Sequence, residues 1–132
     1  MSVLRVNFLP EFHLGDDVVL LTMDGEGVEL IKAAVDQART DRSSLLLHDG
    51  VEQTFQIEPG AASVELSPER VVWHLDEDKA AEIADYLTVL SAPRDGGTTA
   101  GHFYVDMTSP ADTLVVSRDE YTDVVYQWVS PT

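Results

Sequence analysis

Two amphipathic stripes of helical period, each bracketed by extended stretches, constrain this chain more than any other feature. Val28, Ile31, Val35 and Ala38 recur on one side of a helix, with Glu29, Lys32, Asp36 and Arg39 turned outward. Ala80, Ile83, Ala84, Leu87 and Leu90 repeat the device further on. A helix with a single apolar stripe must bury it against another layer, so both need a sheet to cover.

The extended stretches have the spacing to supply one. Leu4, Val6 and Phe8 alternate with Arg5 and Asn7, a half-buried strand that Pro10 is expected to end. Val18 to Met23 is an unbroken apolar run, which predicts a strand covered on both faces or one central in its sheet. Asp24 and Glu26 then place acids at the first helix start, where the dipole favours negative charge, and the helix is expected to end near residues 39–41. Ser44 to His48 is a short apolar strand, and Asp49-Gly50 is a hairpin turn signal. Val51, Phe55 and Ile57 point in while Glu52, Thr54 and Gln56 point out. Ala62 to Leu66 and Val71 to Leu75 flank Ser67-Pro68-Glu69-Arg70 as a second hairpin, after which Asp76-Glu77-Asp78 opens the second helix. Residues 91–97 carry the densest run of breakers, the expected site of the most mobile loop. His102 to Met107 and Thr113 to Ser117 form the last strand pair. Ser117-x-x-Glu120 has capping-box spacing ahead of Tyr121, Val124, Val125 and Trp128, which predicts a short C-terminal helix over about 118–129.

Aligned by pattern, residues 3–58 and 62–117 are each strand, strand, helix, strand, strand, although their side chains differ. The expectation is a single α+β domain: two ββαββ units in one mostly antiparallel sheet, with both helices on one face. DNA sliding clamps also pair strand–helix–strand units, but their ring interior is basic, so that likeness is topological alone.

Charge narrows the function classes. The 132 residues carry 24 Asp and Glu against 8 Lys and Arg, a formal net charge of −16. Such a surface repels phosphate backbones and anionic lipid, so neither nucleic acid nor membrane is an expected partner, whereas a basic protein would be drawn in. No apolar run approaches the ~20 residues of a membrane helix, and the N-terminus has no signal-peptide pattern. Without cysteine there are no disulfides or thiolate metal sites, and the cytoplasm is the expected compartment.

Strand parity defines a second sheet face. If Val71, Trp73 and Leu75 face the helices, His74 faces away; so do His102, Tyr104 and Asp106, because Phe103, Val105 and Met107 face in. With Glu52 and Gln56 these residues would form a polar, aromatic face. Asp78, Glu82 and Asp85 add an acidic stripe along the second helix. A mixture of Tyr, His and acids suits a protein interface, and these nine residues are the expected partner-binding set.

Catalytic alternatives are thinner. His74-x-Asp76-x-Asp78 and His102-x-Tyr104-x-Asp106 have metal-ligand spacing on strands, but Asp76 and Asp78 are also what a helix start requires. His48 with Asp49, or Ser117 near His102, could serve acid–base or nucleophilic chemistry, yet each is accounted for by a turn or a cap. Asp95-Gly96-Gly97-Thr98-Thr99 lacks the Gly-Lys-Ser/Thr ending of a phosphate-binding loop, and Trp73 and Trp128 read as core. No cofactor is implied.

The run RVVWHLDEDKAAEIADYLTVL, then GHFYVDM and ADTLVVSRDEY, over residues 70–121, resembles the small immunity proteins of bacterial polymorphic toxin systems. There a strand and amphipathic helix precede a His-containing strand and a closing Leu-Val-Val-Ser-type strand. The resemblance implies a stoichiometric, non-enzymatic inhibitor of a toxin effector domain, with acidity suited to a basic target. Two other expectations stand beside it: a small metal-dependent or acid–base enzyme centred on His74, His102 and Asp106, and a homodimeric structural or regulatory domain.

Overall fold

The computed structural model describes residues 2–92 and 100–131. The chain runs β1 (Leu4–His13), β2 (Asp16–Met23), α1 (Gly25–Asp41), β3 (Ser43–His48), β4 (Val51–Ile57), β5 (Ala62–Leu66), β6 (Arg70–Leu75), α2 (Glu77–Ser91), β7 (Gly101–Asp106) and β8 (Thr113–Arg118). The α+β class, the two helices and the doubled ββαββ layout are as the sequence predicts. The loop expected to be most mobile falls largely on residues 93–99, outside the described residues.

The helices begin where their acids place them. Asp24 Oδ1 accepts from Gly27 N at 2.8 Å, and Asp76 Oδ1 accepts from Lys79 N at 2.7 Å, so each side chain satisfies a first-turn amide that has no helical partner. Both stripes are buried as expected, Val28 to Ala38 on α1 and Ala80 to Leu90 on α2.

One expectation needs correction: the strands make two sheets, not one. Their orders are β1-β2-β8-β7 (sheet A) and β3-β4-β6-β5 (sheet B). Each hairpin is antiparallel, and hairpins of different units join through parallel pairs, β2 with β8 and β4 with β6. Exchanging the units converts one sheet order into the other, so the pattern repeat is a repeat of topology. The helix within each unit parts its two hairpins, and each hairpin finds its sheet partner in the other unit. A single bridge, Ser63 to Ser109, ties β5 to the β7–β8 turn. One apolar cluster draws on both sheets and both helices, with Trp73 stacked on Phe55 at 5.6 Å between centroids.

Three local expectations also fail. β1 does not end at Pro10; it continues to His13 through an irregularity between Leu9 and His13, because a proline without N–H is tolerated on an edge strand. The C-terminal stretch is not a helix. Ser117 is fully buried within β8, its hydroxyl donating to the Leu21 carbonyl at 2.8 Å, so it cannot cap anything. Residues 119–131 are instead irregular: Tyr121 and Tyr126 lie on the outer face of sheet A, packing with Phe12 over Leu9, Val18, Leu20 and Val115, and Trp128 shares a depression with Arg5, Asp49, Val51 and Pro68. Arg5 Nη2 donates to the carbonyls of Tyr121, Thr122 and Val124 at 3.2, 3.1 and 2.9 Å. Trp128 travels with this segment and is exposed, not core. The same cover explains the unbroken apolar run of β2, which buries Val19, Leu21 and Met23 toward the helices and Val18 and Leu20 toward the C-terminal segment.

Candidate interaction surface

Parity holds strand by strand, but the division into two sheets distributes the predicted face. Gln56 and His74 are cross-strand partners on the outer face of sheet B, where Glu52 lies opposite Arg70 with Oε2 3.9 Å from Nε. His102, Tyr104 and Asp106 lie on β7, at the edge of sheet A. The expected union of His74 with His102 and Tyr104 on one face is therefore corrected: they belong to different sheets. Asp78, Glu82 and Asp85 sit on α2, Asp78 and Asp85 exposed and Glu82 paired with Lys79 at 3.0 Å.

The local chemistry at each histidine is distinct. His74 Nδ1 lies 2.5 Å from Glu58 Oε2 and its Nε2 lies 2.6 Å from Glu65 Oε2, so both ring nitrogens face carboxylates. Hydrogen bonding to Glu58, then to Glu65, raises its pKa above the ordinary 6.5, against a smaller opposing effect of burial. His102 Nδ1 meets Glu120 at 2.7 Å and stands edge-on to the Tyr104 ring at 5.1 Å. His48 Nε2 meets Ser2 Oγ at 2.7 Å, with Asp49 at 3.8 Å from Nδ1.

These partners bear on the catalytic alternatives. Ser117 is the register partner of His102, but its hydroxyl is committed to Leu21 and the imidazole to Glu120. Asp76 is occupied as the α2 cap. Among the described residues, no group of three or more His, Asp or Glu side chains is placed to hold a metal ion. His74, His102 and Asp106 do not converge.

The outer face of sheet B is the more developed surface. Its cross-strand rows are Leu47–Glu52–Arg70, Leu45–Thr54–Val72–Glu65 and Ser43–Gln56–His74–Ser63. Leu45 and Leu47 are 61% and 68% exposed, unusual for leucine on a strand. A depression of about 440 Å³, lined by Gln56, Glu65, Leu66, Ser67, Arg70, Val72 and His74, indents the same face. Leu45 and Leu47 on the edge strand β3 thus lead through Thr54 to Val72, with Glu52, Glu65, Arg70 and His74 beside them on the same face.

Sequence reasoning missed Leu45, Leu47, Glu58 and Glu65. For Glu65 a signal existed, since alternation in Ala62–Leu66 turns Ser63 and Glu65 outward with His74. For the leucines none did: Leu45-Leu46-Leu47 reads as wholly buried, and only the edge position of β3 exposes two of the three.

No family model matches this chain, and no curated protein does. Among solved structures it is similar to Drosophila Suppressor of Fused, with a TM-score of 0.48 at 8% identity, covering 91% of this chain and 27% of that one. The chain thus spans about a quarter of that protein's length. Among the described residues, no helix is long and apolar enough to cross a membrane.

Proposed function

We propose that this chain is a non-enzymatic, cytoplasmic protein-binding domain whose partner is a basic protein docked on the outer face of sheet B. The observation that carries the reading is the composition of that face: Leu45 and Leu47 exposed at its β3 side, continued by Thr54 and Val72, with Glu52, Glu65, Arg70 and His74 around them. Interfaces have this anatomy, an apolar core that drives binding and a charged rim that selects and steers. A net charge of −16 speeds the approach of a positively charged partner. The sequence resemblance to immunity proteins supplies the partner class, a toxin effector domain held inactive by stoichiometric binding.

The test is capture from an extract of the source cells. The wild-type chain should retain a basic protein that a Val72→Asp variant releases, because a carboxylate in the middle of the apolar patch would cost about 2 kcal/mol or more of binding. A Tyr104→Ala variant, altered on the other sheet, should retain it. Equal capture by Val72→Asp would remove the face from consideration. The toxin reading has its own arm: the captured protein should arrest cell growth when expressed alone and not when this chain is co-expressed. Undisturbed growth in the first case would withdraw it.

A further inference from the structure

The four sheet edges are not equivalent. β1 carries Pro10, Glu11 and an irregular register, and β5 is tied to the β7–β8 turn by Val64 N to Ser109 O and Thr108 N to Ala62 O. β7 presents Asp106 among its outward residues. Charge, proline, irregular register and cover are the usual devices that stop an edge from pairing with another chain. β3, with sequence SSLLLH, has no acid, lysine, arginine, proline or register shift, and among the described residues no strand pairs with its outer side. Among the described strands it alone lacks any Asp, Glu, Lys or Arg, in a chain with 24 acids.

The backbone of β3 is also correctly presented. Asp49 and Gly50, with φ of 49° and 77°, form a two-residue turn that makes His48 and Val51 a hydrogen-bonded pair. Antiparallel alternation then commits Ser44 and Leu46 to β4, in agreement with the bond from Ile57 N to Arg42 O. The N–H and C=O groups of Ser43, Leu45 and Leu47 consequently point to the free edge. Leu45 and Leu47 are also the residues whose side chains lie exposed on the outer face.

We propose that the partner adds a strand to β3: an extended segment of a basic protein pairs with Ser43, Leu45 and Leu47 and lays apolar side chains beside the two leucines. This deepens the docking reading of sheet B and rests on it. Main-chain bonds would give such a segment affinity, and the alternate side-chain positions its specificity. Charge selects the occupant. Asp49 follows β3 and Glu52 lies beside Leu47, while the nearest cations, Arg42 and Arg70, already face Glu77 and Glu52, so the uncompensated charge of the chain is negative and basic residues around an apolar centre are complementary. A second copy of the chain brings another −16 to the same edge.

The test uses the full chain and two synthetic peptides, Lys-Val-Thr-Val-Thr-Val-Lys and the same peptide N-methylated at two adjacent central residues, which blocks both of its edges without changing its charge. Amide hydrogen exchange is followed residue by residue. The plain peptide should slow exchange at Ser43, Leu45 and Leu47 by about tenfold or more, and the methylated one should not. Equal binding of both peptides, with perturbation at Thr54 and Val72 only, would overturn strand addition while leaving the docking face standing. If neither peptide perturbs sheet B at all, strand addition is overturned and the docking face falls with it. Protection of the same three amides by raising the concentration of the chain alone would assign the edge to a second copy and overturn the proposal.

Discussion

The indole Nε1–H of Trp73 donates to Oε1 of Gln53 at 3.0 Å, inside the core, across the parallel pair that joins the two units in sheet B. Gln53 is 2% exposed, a polar residue held in an apolar layer by one donor. Gln53→Leu should therefore leave a buried N–H unsatisfied and lower stability by about 1–3 kcal/mol. The measurement is the urea midpoint. Adding Trp73→Phe should shrink the penalty of the glutamine change, since the orphaned donor is then gone; an unchanged penalty would mean that packing, not the hydrogen bond, decides.

Gly27 illustrates a glycine that helix propensity would replace. A Cβ there would stand 2.1 Å from the Val3 carbonyl oxygen, because the start of the chain runs against the first turn of α1. Alanine is the better helix former, yet Gly27→Ala should destabilise by about 1–3 kcal/mol as the backbone shifts to make room. Thermal unfolding reads the sign directly.

The C-terminal segment depends on one cation. Arg5 serves three carbonyls between Tyr121 and Val124, while Tyr121 and Tyr126 cover Phe12 and the small apolar cluster beneath. Arg5→Met removes the donors and should cost about 1.5–3 kcal/mol, concentrated in this segment. Limited proteolysis should then cut within 119–131 sooner than in wild type, with the remainder of the chain still resistant. Simultaneous loss of the whole fold would contradict a separable cover.

His74 makes stability pH-dependent with a defined sign. Glu58, then Glu65, raise its folded-state pKa above the ordinary 6.5, so the protonated ring is favoured by folding. Its contribution is complete below the unfolded value and is lost as pH rises through the folded one. Unfolding midpoints should fall as pH is raised above 6.5 through the raised folded-state value, and His74→Gln should flatten that fall. An NMR titration of the His74 ring with a midpoint at or below 6.5 would refute the assignment.

Much of this was legible in the sequence. The ranges of α1 and α2, the acids Asp24 and Asp76 at their starts, the Asp49-Gly50 turn and the in–out parity of β4, β6 and β7 follow from spacing, because side-chain periodicity is imposed by the local backbone. The apolar run of β2 pointed to a strand covered on both faces or central in its sheet; the structure gives it both, with a cover the run did not identify. Ser117-x-x-Glu120 had the spacing of a cap, and Tyr121 to Trp128 that of a helix. Tertiary structure overrode both: Ser117 was claimed by the Leu21 carbonyl and the segment's own carbonyls by Arg5, residues 96 and about 116 positions away in the chain.

What only the fold decided is which strands become neighbours. Parity assigned His74, His102 and Tyr104 each to an outward direction correctly, and yet to a common face wrongly. Backbone amides are alike in every strand, so a sequence does not mark which edge will meet which. That choice goes with burial of both helix stripes in one core, whose two sheets are each joined by a parallel pair between units, β2 with β8 and β4 with β6. The same choice left β3 at an edge and turned two leucines of an apparently buried run toward solvent.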